Sequence, residues 1–163
     1  SRDMVYITSS TGVGACVVIG GRLLHGRQSL AEIGHTIIDI ATMGTVESLG
    51  SGTAVAARSG RNATEVAALA AQGDAEASGH FRAAATALAV GVFNAVHSFS
   101  PETVVIGGGM SGAGELLLGP VREVLRRCST SCPGSKVKVV RAAGGDDAGL
   151  KGAAAYWEEV RDR

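Results

Sequence analysis

The stretch ETVVIGGGMSGAGELLLGPVREVL, residues 102–125, changes character twice. Thr103 to Ile106 are mostly β-branched and predict a strand. Gly107, Gly108 and Gly109 interrupt it, and the leucines and valines beyond them recur at helical spacing. Upstream, the alanine-, valine- and leucine-rich run from about Ser78 to Ser98 predicts a well-buried helix, which Pro101 stops. Downstream, KVKVV at 136–140 predicts another strand. GGDDAGLKGAAAYWEEVRDR at 144–163 predicts a loop and a closing helix with a solvent-exposed charged tail. Strands alternating with helices in this half predict an α/β domain.

The first half reads differently. MVYIT at 4–8 and ACVVI at 15–19 predict two strands joined by SSTGVG, and GGRLL at 20–24 predicts a tight turn into a third. Glycines at 20 and 21 suit that turn because they adopt positive φ without strain. HTIIDI at 35–40 is a fourth strand candidate. From Thr45 the period becomes helical: TVESLGSGTAVAARSG is expected to end at Gly60 as a C-cap. NATEVAALAAQGD opens with Asn62 as N-cap and Glu65 three residues on, a capping-box pattern. No repeat or low-complexity linker divides the chain, so 1–163 reads as one folding unit.

Composition narrows the function. The 163 residues carry zero formal net charge, and only 18% are charged. This leaves no electrostatic footprint for nucleic acid or an anionic membrane. Three cysteines do not make a disulfide framework and fit a reducing compartment. No leader-like segment and no apolar run of the ~18 residues that a membrane helix needs is visible, so a cytoplasmic protein is expected. The chain opens straight into a strand-like segment without methionine, as a fragment would.

Three segments carry chemical content. Ser10-Thr11-Gly12-Val13-Gly14 is a glycine loop between strands, able to approach a phosphate but read alone as an ordinary hairpin turn; no Gly-Lys-Ser/Thr follows, so it is not a Walker A loop. Gly107, Gly108 and Gly109 lie at the carboxyl end of a strand, where an open α/β sheet forms a crevice. Three missing side chains there would let a flat group such as adenine or ribose lie on the backbone. The third is SLAEIGHTIIDIATMGTVESLGSG at 29–52. Carboxylates at Glu32 and Glu47 can each accept two sugar hydroxyls, His35 adds an imidazole, and Gly34 would admit a ring close to the backbone. Taken singly, His35 reads as a hydrogen-bonded histidine and each glutamate as a solvated surface charge. His25, His80 and His97 read as structural and Cys16 as an inert core thiol. Cys128 and Cys132 lack a second ligand pair for zinc. Asp146 and Asp147 read as caps of the closing helix, with contact to a nucleotide's magnesium as the alternative.

In this order the segments resemble the Repressor–ORF–Kinase (ROK) family of bacterial sugar kinases and sugar-responsive repressors. VYITSSTGVGACVVIGGRLLHG resembles the family's second phosphate loop and hairpin, and AEIGH its Glu-x-Gly-His signature. GTVESLGSGTA resembles the end of its zinc loop, ETVVIGGGMSGAGELLLGPVREVL its adenosine segment, and GDDAGLKGAA its closing motif. The resemblance implies an α/β fold, the C-terminal lobe of the ribonuclease-H-like actin/hexokinase fold, with a mixed sheet and flanking helices. It implies that Glu32, His35 and Glu47 bind a sugar, that Thr11, Gly12 and Gly14 line the phosphate path, and that Gly107, Gly108, Gly109 and Met110 pack around adenosine. MgATP would be the phosphoryl donor and a hexose or N-acetylhexosamine the acceptor. A homodimer would be the usual assembly.

Two departures modify these expectations. The cysteines of the family's zinc loop are missing from TIIDIATMGTV, and Thr45 stands where the last would be. His35 is the only ligand left, so no structural zinc is expected, and packing of Ile37, Ile38, Ile40 and Met43 is expected to hold the loop. The family's N-terminal lobe, with its first phosphate loop and the aspartate general base, is not in this chain. The chain is therefore expected to be a C-terminal lobe with no catalytic residue of its own, inactive alone. The alternative is the sugar-sensing domain of a ROK-type repressor.

Overall fold

The computed structural model describes residues 1–27, 30–128, 136–145 and 148–161. A five-stranded mixed sheet forms its centre. Strands β1 (Met4–Ser9), β2 (Val13–Ile19) and β3 (Arg22–Leu23) form an antiparallel meander. Strands β6 (Thr103–Gly107) and β7 (Lys138–Arg141) add in parallel beyond β1, giving the order β3-β2-β1-β6-β7. A small hairpin of β4 (Ile37–Asp39) and β5 (Gly44–Thr45) stands apart. Five helices build one hydrophobic core with the sheet: α1 (Val46–Gly50), α2 (Gly52–Ser59), α3 (Ala63–Ala71), α4 (Ala75–Phe99) and α5 (Glu115–Cys128). A sixth, α6 (Ala148–Arg161), follows β7.

The alternation of β1 explains the layering. Val5, Ile7 and Ser9 are buried while Met4, Tyr6 and Thr8 are half-buried, the period-two pattern of a sheet covered mainly on one face. Val104 and Ile106 continue the buried row on β6. Helix α4 supplies Phe81, Leu88 and Val92 to that core, and α1, α2, α3 and α5 pack around it. Gly91 of α4 leaves room for the methyl groups of Val46, which would lie 2.8 Å from a Cβ there. This seats α1 against α4.

The long helix begins earlier than its apolar pattern suggests. Asp74 caps it by accepting from the Ala77 amide at 2.8 Å, and Ser100, in the left-handed region, ends it before Pro101. The single helix expected from Thr45 to Gly60 is two. Ser51 is extended (φ −89°, ψ 170°), and its hydroxyl accepts from the Ala54 amide to start α2. Thr45 and Ser48 exchange hydrogen bonds as a capping box for α1; serine and threonine satisfy helix-end amides and so favour such starts over helix interiors. Gly60 ends α2 as expected, with φ +69°. Asn62 caps α3 by accepting from Glu65, whose own carboxylate pairs with Arg61 instead.

The fourth strand is shorter than expected, because His35 belongs to a 3-10 turn over Ile33–His35. The packing expected for the following loop is also corrected. Ile37, Ile40 and Met43 are exposed, and only Ile38 packs against the core. The hairpin tip is instead held by Asp39, whose carboxylate accepts from the Ala41 amide at 3.0 Å and the Thr42 hydroxyl at 2.7 Å. Helix α6 is exposed from Gly149 to Glu158. Cys16 lies half-buried on β2, and burial raises its thiol pKa, which suits an inert thiol.

Candidate functional site

The turn Ser10–Gly12, between β1 and β2, is where the three sequence motifs meet. The Ser10 amide closes it by donating to the Gly12 carbonyl at 2.9 Å. From α1, the Glu47 carboxylate accepts the Val13 amide at 2.8 Å. It also fills the place a Cβ on Gly12 would need. From α2, the Gly52 amide donates to the Ser10 carbonyl at 2.6 Å, and Thr53 donates to the Thr11 carbonyl through its amide at 3.4 Å and its hydroxyl at 2.7 Å. The break at Ser51 makes this possible, since amides at a helix start have no partner within the helix. Among the described residues neither the Thr11 nor the Gly12 amide has a partner, so two successive N–H groups are left for an anion.

The Glu-x-Gly-His segment touches the same turn. Gly34 lies directly against the Val13 carbonyl, where a Cβ would overlap it. The space expected to admit a sugar ring is therefore filled by protein, and glycine is needed for packing. Glu32 and His35 flank this buried contact and are both exposed. The turn that carries them packs against α1, the helix of Glu47.

The glycines after β6 divide in the same way. Gly107 is buried, with the Tyr6 hydroxyl where its Cβ would be. Gly108, at φ +81°, is pressed against the Ser9 carbonyl and the Thr8 hydroxyl. Only Gly109 of the three lines the cavities beside the turn. Met110 is buried and accepts from the Ser9 hydroxyl through sulfur at 3.2 Å. Gly14 sits within β2 beside Thr8, off the turn.

Two cavities adjoin, sharing Ala63, Thr64, Gly109 and Met110. The larger, about 370 Å³, is apolar and runs along Ala67 and Ala71 of α3 to Leu116. The smaller, about 270 Å³, is lined by Ser10, Thr11, Thr53 and Asn62 and opens at the turn. A third cavity of about 490 Å³ lies beside Tyr6, Thr8, Gly107, Gly108 and Arg141. The sequence reading missed Thr53, Thr64 and the alanine face of α3. Alanines at 63, 67 and 71, one helical turn apart, were the available signal.

Among the described residues no group of three or more His, Cys, Asp or Glu could hold a metal, and no helix is long and apolar enough to cross a membrane. Asp146, Asp147 and Cys132 lie outside the described residues.

A mixed sheet with a glycine turn at its hairpin, clasped by helices and facing a glycine-ended parallel strand, has the architecture of the actin/hexokinase-like fold. The ROK family profile matches residues 1–160, and the chain belongs to that family. It is 35% identical to a glucokinase of Thermotoga maritima over 185 residues, covering 96% of this chain and 58% of the relative. It is 32% identical to an N-acetylmannosamine kinase of Yersinia pestis, covering 94% and 56%. The crystal structure of a ROK family glucokinase from Streptomyces griseus, in complex with glucose and AMPPNP, superposes with a TM-score of 0.83 at 29% identity, covering 95% of this chain and 60% of that one. The chain thus spans a little over half the length of the curated relatives it matches.

Proposed function

We propose that this chain forms the sugar- and nucleotide-binding lobe of an ATP-dependent sugar kinase. The joined cavities are the observation that carries this reading. Their apolar arm, walled by the alanine face of α3 and Met110, suits a purine ring. Their polar arm suits ribose and leads to the unpartnered amides of Thr11 and Gly12, which suit the terminal phosphates. Glu32, His35 and Glu47 hold the sugar beside that turn, with carboxylate oxygens accepting from its hydroxyls. Magnesium, carried on the phosphates, would neutralise charge in transfer.

The reaction is attack by a sugar hydroxyl on the γ-phosphate, which requires an in-line arrangement and a base to take the hydroxyl proton. No described residue at the turn is placed for that task in our reading, and a segment outside this chain supplies the base. Relatives that are kinases of glucose and of N-acetylmannosamine favour a hexose or an N-acetylhexosamine as acceptor.

The test is sugar-dependent ADP release by the full polypeptide that carries this chain, across hexoses and N-acetylhexosamines. Release with one sugar and not its epimers is expected, and none from residues 1–163 alone. Sugar binding without ADP release in the full polypeptide would contradict the kinase and favour a sugar sensor.

A further inference from the structure

Among the described residues three other than glycine have a positive φ: Ala31 at +61°, Met43 at +57° and Ser100 at +47°. Ser100 ends α4, and Met43 stands at the hairpin tip just before β5. Ala31 directly precedes Glu32. Alanine is costly in that conformation, because its Cβ crowds the backbone and it has no polar group to bond locally. Such residues persist only where their surroundings fix them, and they gather at ligand sites. Here the surroundings are fixed on both sides. Ala31 packs against the core. Its carbonyl accepts the Ile33 amide at 2.7 Å across Glu32, which lies at φ −70° and ψ 58°. That is an inverse γ-turn with Glu32 at its apex. Beyond it Ile33 is buried, its carbonyl accepts both the amide and the hydroxyl of Thr36, and Gly34 is pressed on the Val13 carbonyl.

We infer that Ala31 is a positioning residue for the sugar: its left-handed backbone sets the direction in which the Glu32 side chain leaves the chain. The inference rests on the reading of Glu32 as a sugar ligand. Ala31 and Ile33 both pack against the core, and Glu32 between them is exposed. A residue at position 31 that refuses the left-handed conformation therefore changes the torsions of Glu32 and swings its carboxylate off the sugar. The Ser10–Gly12 turn is left as it was, because Gly52 and Thr53 hold it and Glu47 holds the peptide that follows. Loss of sugar without loss of nucleotide is the signature.

Calorimetry on the full polypeptide tests this, with AMPPNP and magnesium titrated alone and, separately, whichever of glucose and N-acetylmannosamine binds. Asparagine and glycine enter the left-handed region readily, so Ala31→Asn and Ala31→Gly should bind sugar within about twofold of wild type. A β-branched residue does not enter it. Ala31→Val should bind sugar about tenfold or more weakly, the scale of a lost hydrogen bond to a charged group. AMPPNP affinity should be unchanged in all three, and in turnover the valine defect should fall on KM for sugar and not for ATP. Ala31→Gly should also melt no lower than wild type, whereas glycine for alanine at an ordinary φ lowers stability. Ala31→Val as tight for sugar as wild type overturns the positioning role, and so do Ala31→Asn and Ala31→Gly as weak as Ala31→Val. Ala31→Gly melting below wild type overturns the strained backbone on which the role depends. Should Ala31→Val lose AMPPNP as well, Ala31→Asn decides: sugar affinity like that of wild type upholds the role, and loss of sugar overturns it. Glu32→Gln separates the two failures, since wild-type sugar affinity in that variant overturns Glu32 as a ligand.

Discussion

Two short turns in this molecule are built in opposite ways. Ser10–Gly12 is held by others: Glu47 from α1, Gly52 and Thr53 from α2, and Gly34 from the 3-10 turn all bear on it or on the peptide that follows. The tip between β4 and β5 holds itself, through Asp39 and its neighbours Ala41 and Thr42, with Ile40 89% exposed. A turn braced from three elements keeps its amides in one direction without a ligand, as a phosphate site needs. A turn braced only by its own residues can change without moving anything else. The proposed site therefore falls on the turn whose geometry the rest of the fold determines.

The sharpest way to break this contrast is Gly34→Ala. The added methyl meets the Val13 carbonyl, which is backbone and cannot rotate away. Overpacking of this kind costs about 1–3 kcal/mol, and we expect the upper part of that range together with loss of nucleotide binding. Urea unfolding and AMPPNP titration measure both, and a variant as stable as wild type would mean the turn is not braced as described.

A smaller effect is expected at the self-held tip. The Thr42 hydroxyl, and then the Ala41 amide, hold the Asp39 carboxyl below its ordinary pKa. A depressed folded-state pKa gives stability that is present above the unfolded value of about 3.9 and is lost as pH falls through the lower folded value. Asp39→Ala should therefore melt below wild type at neutral pH, and the gap should close in thermal melts taken down to about pH 2. A gap that widened on acidification would reverse the sign assigned to this carboxylate. Smallest of all is Ile40→Ser, expected to change stability by no more than about 0.5 kcal/mol in the same unfolding experiment.

Much of this was legible before the structure. The strand–glycine–helix order of residues 102–125, the hairpin at Gly20-Gly21 and the caps at Asn62 and Gly60 are local signals, and each element formed where its chemistry pointed. The family resemblance gave roles to Glu47 and to Thr11–Gly12, and the structure brings the Glu47 carboxylate to the Val13 amide beside that turn. What a sequence could not show was why its glycines are glycines. At Gly34, Gly107 and Gly108 an added Cβ would meet Val13, Tyr6 and Ser9, a packing demand that close approach to distant backbone leaves without any periodic trace. Thr53 escaped notice for a related reason. Its partner lies 42 residues away, and only the break at Ser51 turns it toward the glycine turn.

The most direct test of the site is a crystal structure of the full polypeptide with AMPPNP bound. The base should lie against Ala67, Ala71 and Met110, with the phosphates at the amides of Thr11 and Gly12. A nucleotide seated instead in the cavity beside Tyr6 and Arg141 would contradict the assignment, and with it the role given to the braced turn.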